Sequence, residues 1–319
     1  MTRRDVIEEI AQVRSRRRFG HGMAELTYRL FGLEQMFREH GTNNEELVRY
    51  YPVALIACLE GYVRMAIQEI MEKGEPYLSN AEQIARDVRL DFSALRAIHG
   101  KRVSLGEIIS HNVAMSKLEH VNGVLSKLLG SDLLEGLRSV SSRWEHEVKK
   151  KPALPILSKP DEAYAYVQRT FELRHTICHE FASRLELKSD EISKCFDSCV
   201  SFLRALNEYI NQTLYPDAPL TQTDMNIASG KALEEAKDRL ESLCKKIKEG
   251  LSPERIKEFD ESQVHWEAYC AAWAHFDSEY SAGGTIRPTL YAGSARSVVE
   301  KRIEEISAFK RRDDALGNI

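Results

Sequence analysis

ELRHTICHEFA, residues 172–182, places Arg174, His175, Cys178, His179 and Glu180 within seven positions. All but the ends of the stretch read as the inside of a helix. A helix that only had to bury one face would not need so many ionisable groups so close together, so the stretch bears on function as well as fold. Working outward, Asp161 opens the long helix that carries it, after the proline-broken loop KKKPALPILSKP at 149–160. On the other side, Leu187-Lys-Ser-Asp caps a helix running to about residue 214.

The same pattern extends in both directions. A helical region over about 3–40 is broken near FGHG at 19–22. A long helix follows, with Asn43 or Asn44 to cap it, Gly74 to end it and Pro52 predicting a kink or a two-part helix. Further helices are expected over 81–99 and 104–130, and from Ser131 to near Lys150. YPDAPLTQT at 215–223 reads as a linker, followed by a helix to about Gly250, another over 253–280, the loop SAGGTIRP and a last helix over 289–310. No segment alternates with a period of two, as a half-buried strand does. The expected fold class is all-α: a helical domain over 1–214 with an N-terminal helical extension, then a small helical domain over 221–310.

Composition narrows the function classes. The chain has 319 residues, 43% hydrophobic and 29% charged, with a formal net charge of -4. That balance gives no global pull towards nucleic acid, so any such contact must use a local patch. The longest apolar run, VALIACL at 53–59, is too short to span a bilayer, and no membrane partner is expected. The first residues carry no apolar signal region, and none of the six cysteines forms a C-x-x-C pair. They read as reduced thiols in a cytoplasmic protein.

Three sets of residues carry candidate chemistry. His175 and His179, four apart, share a helix face at a spacing that can hold a metal. No third ligand is evident nearby and the H-E-x-x-H order is absent, so no metal site is assigned. Arg174 and His179 are five apart, about 140° around a helix. They do not form one tight pair within a helix, but two such helices meeting across a two-fold axis line a shared cleft. A permanent cation beside a proton-exchanging imidazole suits RNA cleavage, in which the 2′-hydroxyl loses a proton, the leaving 5′-oxygen gains one and the phosphorane needs a fixed donor. The internal nucleophile removes the need for a metal or other cofactor. The plainer reading is a polar helix edge with Ile177 and Cys178 in the core. Glu60 and Arg64 read as an i,i+4 ion pair, or as partners of this cluster. The densest cationic runs are RSRRR, with Arg14, Arg16, Arg17 and Arg18, and KKK, Lys149, Lys150 and Lys151. They are solvated helix ends, or RNA-binding groups if they flank the Arg174 cleft.

RHTICH at 174–179 resembles the R-x4-H signature of HEPN domains, and ALIACLEGYVRMAI at 54–67 resembles their early amphipathic helix. The resemblance covers about residues 40–215. It implies a helical bundle, a homodimer with a composite active site, and a metal-independent endoribonuclease leaving 2′,3′-cyclic phosphates. By the same resemblance Arg174 stabilises the phosphate, His179 transfers the proton and His175 orients or assists. The setting it implies is a toxin or anti-phage effector, with RNA as substrate and an antitoxin or phage-derived trigger as partner. Some HEPN domains have lost activity and serve as RNA- or protein-binding modules, which is the alternative here.

The segment from Thr221 contains TQTDMN, a Q-x-x-W-x-x-Y helix, a GG loop and a closing helix. Over about 221–308 it resembles the N-terminal-like domain of lysozyme inhibitor LprI. That family carries cysteines where this chain has Ala228, Ala274 and Ser294, so the implied disulfides are missing. Their loss and the expected reducing compartment argue against lysozyme inhibition. Trp266, Tyr269 and Trp273 fall at helical spacing and read as core. What remains is a module for recognising a partner or a signal.

Overall fold

The computed structural model describes residues 6–19, 22–86, 88, 90–100, 102–180 and 184–316. The regular elements among them are helical. The order is α1 (Val6–Ser15), α2 (Gly22–His40), α3 (Glu45–Glu72), α4 (Tyr77–Asn80), α5 (Glu82–Ala85), α6 (Phe92–His99), α7 (Leu105–Asn112), α8 (Leu118–Leu129), α9 (Leu133–Leu137), α10 (Pro160–His179), α11 (Ser189–Leu214), α12 (Gln222–Lys248), α13 (Pro253–Ser278) and α14 (Arg287–Leu316). The chain divides into two compact units, 1–216 and 217–319. No helix among the described residues is long and apolar enough to cross a membrane.

The first unit is built around α3. Its apolar residues recur on nearly every side, so it sits in the middle, with α2, α7, α8, α10 and α11 against it. Asn44 starts it by accepting the Leu47 amide at 3.0 Å. Gly74, at a φ of 88°, takes the chain away after its last turn. Pro52 lies inside the helix and is buried, and α3 runs from Glu45 to Glu72 as one element. A division into two helices, which the missing amide allowed, does not occur.

Helix α10 buries Ala163, Val167, Thr170, Phe171 and Leu173 on one face. It runs antiparallel to α11: Arg169 pairs with Glu191 at 2.7 Å, and the Tyr164 and Phe202 rings lie 6.1 Å apart. The thiol of buried Cys199 donates to Thr170 Oγ1 at 3.3 Å. Phe37, Tyr51 and Phe196 close the core between α2, α3 and α11, with Phe37 stacked on Phe196 at 4.1 Å.

Several expected helices are shorter than their periodicity suggested. The stretch 81–99 holds α5 and α6, because Asp91 accepts the Ala94 amide at 3.0 Å and starts a new helix there. The stretch 104–130 divides at Val113, which is extended. After Ser131 only α9 and one π-helical turn, Trp144–Val148, form before the loop. The break near FGHG separates α1 from α2, although Gly20 and His21 lie outside the described residues.

In the second unit α12 and α13 both pack on α14. A capping box of Thr221 and Asp224 starts α12, and Ser252 caps α13. The core joins Leu233, Ala236 and Leu240 to Ala292, Ala295 and Val299. Here the structure corrects the sequence reading. Trp266 is partly buried, but Tyr269 and Trp273 are 56% and 43% exposed. Helix α13 buries a line of small residues, Cys270, Ala274 and Ser278, and the two aromatics fall together on one flank of it, stacked with ring centroids 6.5 Å apart.

Candidate functional site

The motif of residues 174–179 occupies the last turn and a half of α10, and His179 is the final helical residue. Ending the helix there turns its last ring outwards. His175, Cys178 and His179 are exposed, and the two imidazole centroids lie 5.0 Å apart with a 45° tilt. Four-residue spacing therefore does bring the histidines onto one face. Among the described residues no group of three metal-ligating side chains forms. Ile177 is partly buried against the core, whereas Cys178 is not core: it sits at the exposed end of the helix.

Arg174 points elsewhere on the same helix end. Its Nη2 lies 3.8 Å from Glu60 Oε1 on α3, and both side chains are about one-third exposed, at 31% and 27%. Glu60 is thus engaged across helices, where sequence spacing favoured Arg64. Arg64 donates to the Ser110 carbonyl on α7, and burial lowers its pKa while Glu60 opposes that shift. Gln68 donates to Ser110 Oγ at 2.8 Å. These contacts tie the C-terminal half of α3 to α7. Sequence spacing alone carried no signal for Ser110 or Gln68, because both join through packing of distant segments.

The cationic runs fall elsewhere. Arg143, six residues before Lys149, donates its amide to Glu208 near the end of α11 at 3.0 Å. Glu208 is 17 residues from Glu191, which pairs with α10 on the motif's side. The rise of a helix makes that separation about 25 Å. In one chain Lys149, Lys150 and Lys151 thus lie towards the opposite end of the unit from His179. Lys149 and Lys151 both pair with Glu145, at 2.7 and 2.6 Å, and hold its carboxyl below the usual range. Lys150 is exposed and makes no hydrogen bond or ion pair among the described residues.

The other run is also divided. Arg14 grips both oxygens of Glu107 on α7, at 3.0 and 2.5 Å. Arg16 is exposed, Arg17 is half-buried, and Arg18 lies over the Tyr28 ring at 4.8 Å.

Comparison with known families gives two matches. The model described as RiboL-PSP-HEPN matches residues 30–212, and the model described as Lysozyme inhibitor LprI matches residues 216–306. No curated protein and no solved structure matches the chain.

Proposed function

The chain belongs to the RiboL-PSP-HEPN family, whose model covers residues 30–212, and on that premise we propose that it is a metal-independent endoribonuclease. Membership by itself points to an RNase-type or nucleotide-related role. The observation that carries the finer reading is the end of α10. There an arginine held near Glu60 shares one turn and a half of helix with two exposed imidazoles 5.0 Å apart.

Two copies of the chain form the working unit in this proposal, each bringing its α10 end to a common groove. One His179 imidazole takes the proton of the RNA 2′-hydroxyl, and that oxygen attacks phosphorus. The bond from phosphorus to the 5′-oxygen breaks, and this oxygen takes a proton from the imidazolium of the second copy. The products are a 2′,3′-cyclic phosphate and a free 5′-hydroxyl. Arg174 donates to the non-bridging oxygens as charge builds on them. His175, beside His179, orients it or the strand. Arg16 and Lys150, which make no side-chain ion pair among the described residues, attract RNA from a distance, while Arg14, Lys149 and Lys151 contribute less because carboxylates neutralise them. The LprI-like segment serves as a recognition element for a partner or signal. The biological role in this reading is that of a toxin or anti-phage effector, restrained by an antitoxin or released by a phage-derived trigger.

Purified protein incubated with total RNA or tRNA in EDTA tests this. Cyclic-phosphate ends that disappear in both Arg174→Ala and His179→Ala, with unchanged far-UV circular dichroism, support the enzyme. Binding without cleavage supports a docking module instead. On overexpression both variants should relieve growth inhibition, and toxicity equal to the parent's counts against the proposal.

A further inference from the structure

A cavity of about 950 Å³ opens in the first unit, away from the end of α10. Arg14, Arg17 and Arg18 line it together with Gln68, Glu69 and Glu72 from the end of α3. None of the three motif residues reaches it. The arginines precede residues 30–212, so this wall belongs to the chain's own N-terminal arm and not to the matched family domain.

The charges in the cavity are unevenly spent. Arg14 is consumed by Glu107, which also accepts the Ser104 amide at 2.7 Å. Arg18 donates to the Tyr28 hydroxyl at 3.0 Å and makes no ion pair among the described residues. Arg17 makes no side-chain hydrogen bond or ion pair among the described residues. Its half-burial depresses its pKa, against the smaller opposing pull of Glu107 and Glu25. A guanidinium partly withdrawn from water with its donors unused is costly, and its planar fork matches a phosphate. The same lining holds Glu69 and Glu72 beside the Tyr215 phenol, whose pKa is pushed up by burial and then by Glu69. Carboxylates in such a place recognise vicinal hydroxyls, as they do for ribose in dinucleotide-binding folds. They also repel an extended polyanion. The cavity has the size of a small-molecule site.

We infer that this cavity binds a small phosphomonoester with vicinal hydroxyls, a ribonucleotide or a sugar phosphate. The phosphate lies on Arg17 and Arg18 and the hydroxyls face Glu69 and Glu72.

Isothermal titration of the full chain with AMP, ribose 5-phosphate, adenosine and inorganic phosphate tests it. One AMP or one ribose 5-phosphate binds per chain, and the two arms tell nucleotide from sugar phosphate. Adenosine and inorganic phosphate bind at least ~10-fold more weakly, because each lacks one of the two recognised ends. Arg17→Ala weakens the favoured ligand by ~10-fold or more, the size of a lost charged hydrogen bond. Arg174→Ala leaves binding intact, which separates this site from the proposed RNA groove. If Arg17→Ala melts early, Glu69→Gln takes its place and should erase the preference for AMP over 2′-deoxy-AMP, or for ribose 5-phosphate over its 2-deoxy form. Four outcomes overturn the inference: phosphomonoesters binding no tighter than inorganic phosphate, affinity unchanged by Arg17→Ala in a folded protein, affinity lost with Arg174→Ala, or an undiminished ribose preference in Glu69→Gln.

Discussion

Arg174 and Glu60 meet at 3.8 Å with both side chains partly in water, and the Arg174 guanidinium makes no hydrogen bond among the described residues. An exposed pair of this kind contributes only about 0–1 kcal/mol to stability. Its consequence is orientation: Glu60 holds the guanidinium near α3 while leaving its donors free for a phosphate. Glu60→Gln should therefore lower kcat for RNA cleavage about 10-fold, with KM and thermal midpoint nearly unchanged, since a misplaced donor is missed chiefly in the transition state. A fall in the melting temperature matching the lost activity would point to a structural role instead. Cys178 invites a second measurement. It is the one exposed thiol of six, while burial pushes the Cys199 thiol up to about 12. Alkylation of the native protein at neutral pH should label Cys178 first, and Cys199 only on unfolding. At this scale the histidine pair was legible, because four-residue spacing fixes a shared face once a helix is granted. The Glu60 contact was weighed, but pairing with Arg64 was favoured over it, because partner choice between helices depends on packing. Cys178 was misplaced for want of the helix end.

Helices were legible where capping and periodicity agree. Asn44, one of two candidate caps, begins α3 as its position suggested, whereas Thr221, read as part of a linker, caps α12 in a box with Asp224. Asn44→Ala should cost about 1 kcal/mol by removing the acceptor of the Leu47 amide, read as a lower midpoint in denaturant. The region 81–150 was misread because its helices are short and stop on local side-chain bonds that an average period does not see. Asp91 and Asp132 each divert the chain into a new helix there. The second of these, α9, carries a close approach. A Cβ on Gly136 would fall 2.5 Å from the Tyr209 ring of α11. Gly136→Ala should thus push Tyr209 aside and cost about 1–3 kcal/mol as overpacking, and Tyr209→Leu in the same chain should recover part of the loss. A Gly136→Ala protein as stable as the parent would show that Tyr209 swings away freely.

Across the whole molecule, the two large cores are built from separate stretches of chain, one around α3 and one around α14, with Pro216 at the division and a small third cluster of Ile10, Ala94, Ala97, Val103 and Ile108 within the first unit. All-α character was visible throughout, since no stretch offered a strand pattern to compete with the helical one. The exposure of Tyr269 and Trp273 was not, because a line of small residues one step around α13 takes the buried side, and apolar spacing alone does not rank small against large. Each core closing on its own residues leads to a test of independence. Fragments 1–216 and 217–319 should each give a helical far-UV spectrum and a cooperative thermal transition. Their pH dependence should differ as well. In the first fragment Cys199 rises from an ordinary 9.0 to about 12 and Tyr164 from 10.0 to about 12, both chiefly through burial. Once unfolded, these groups release protons above their ordinary values, while the folded state still holds them. The unfolded state is therefore favoured progressively as pH rises from about 9 towards 12, and stability falls over that window. The second fragment has Cys270 and Cys244 shifted upward, with smaller displacements, and should lose less. Melting both fragments from pH 7 to 11 should show the steeper decline in 1–216, and parallel curves would show that its buried thiol and phenol titrate as freely in the native state as in water.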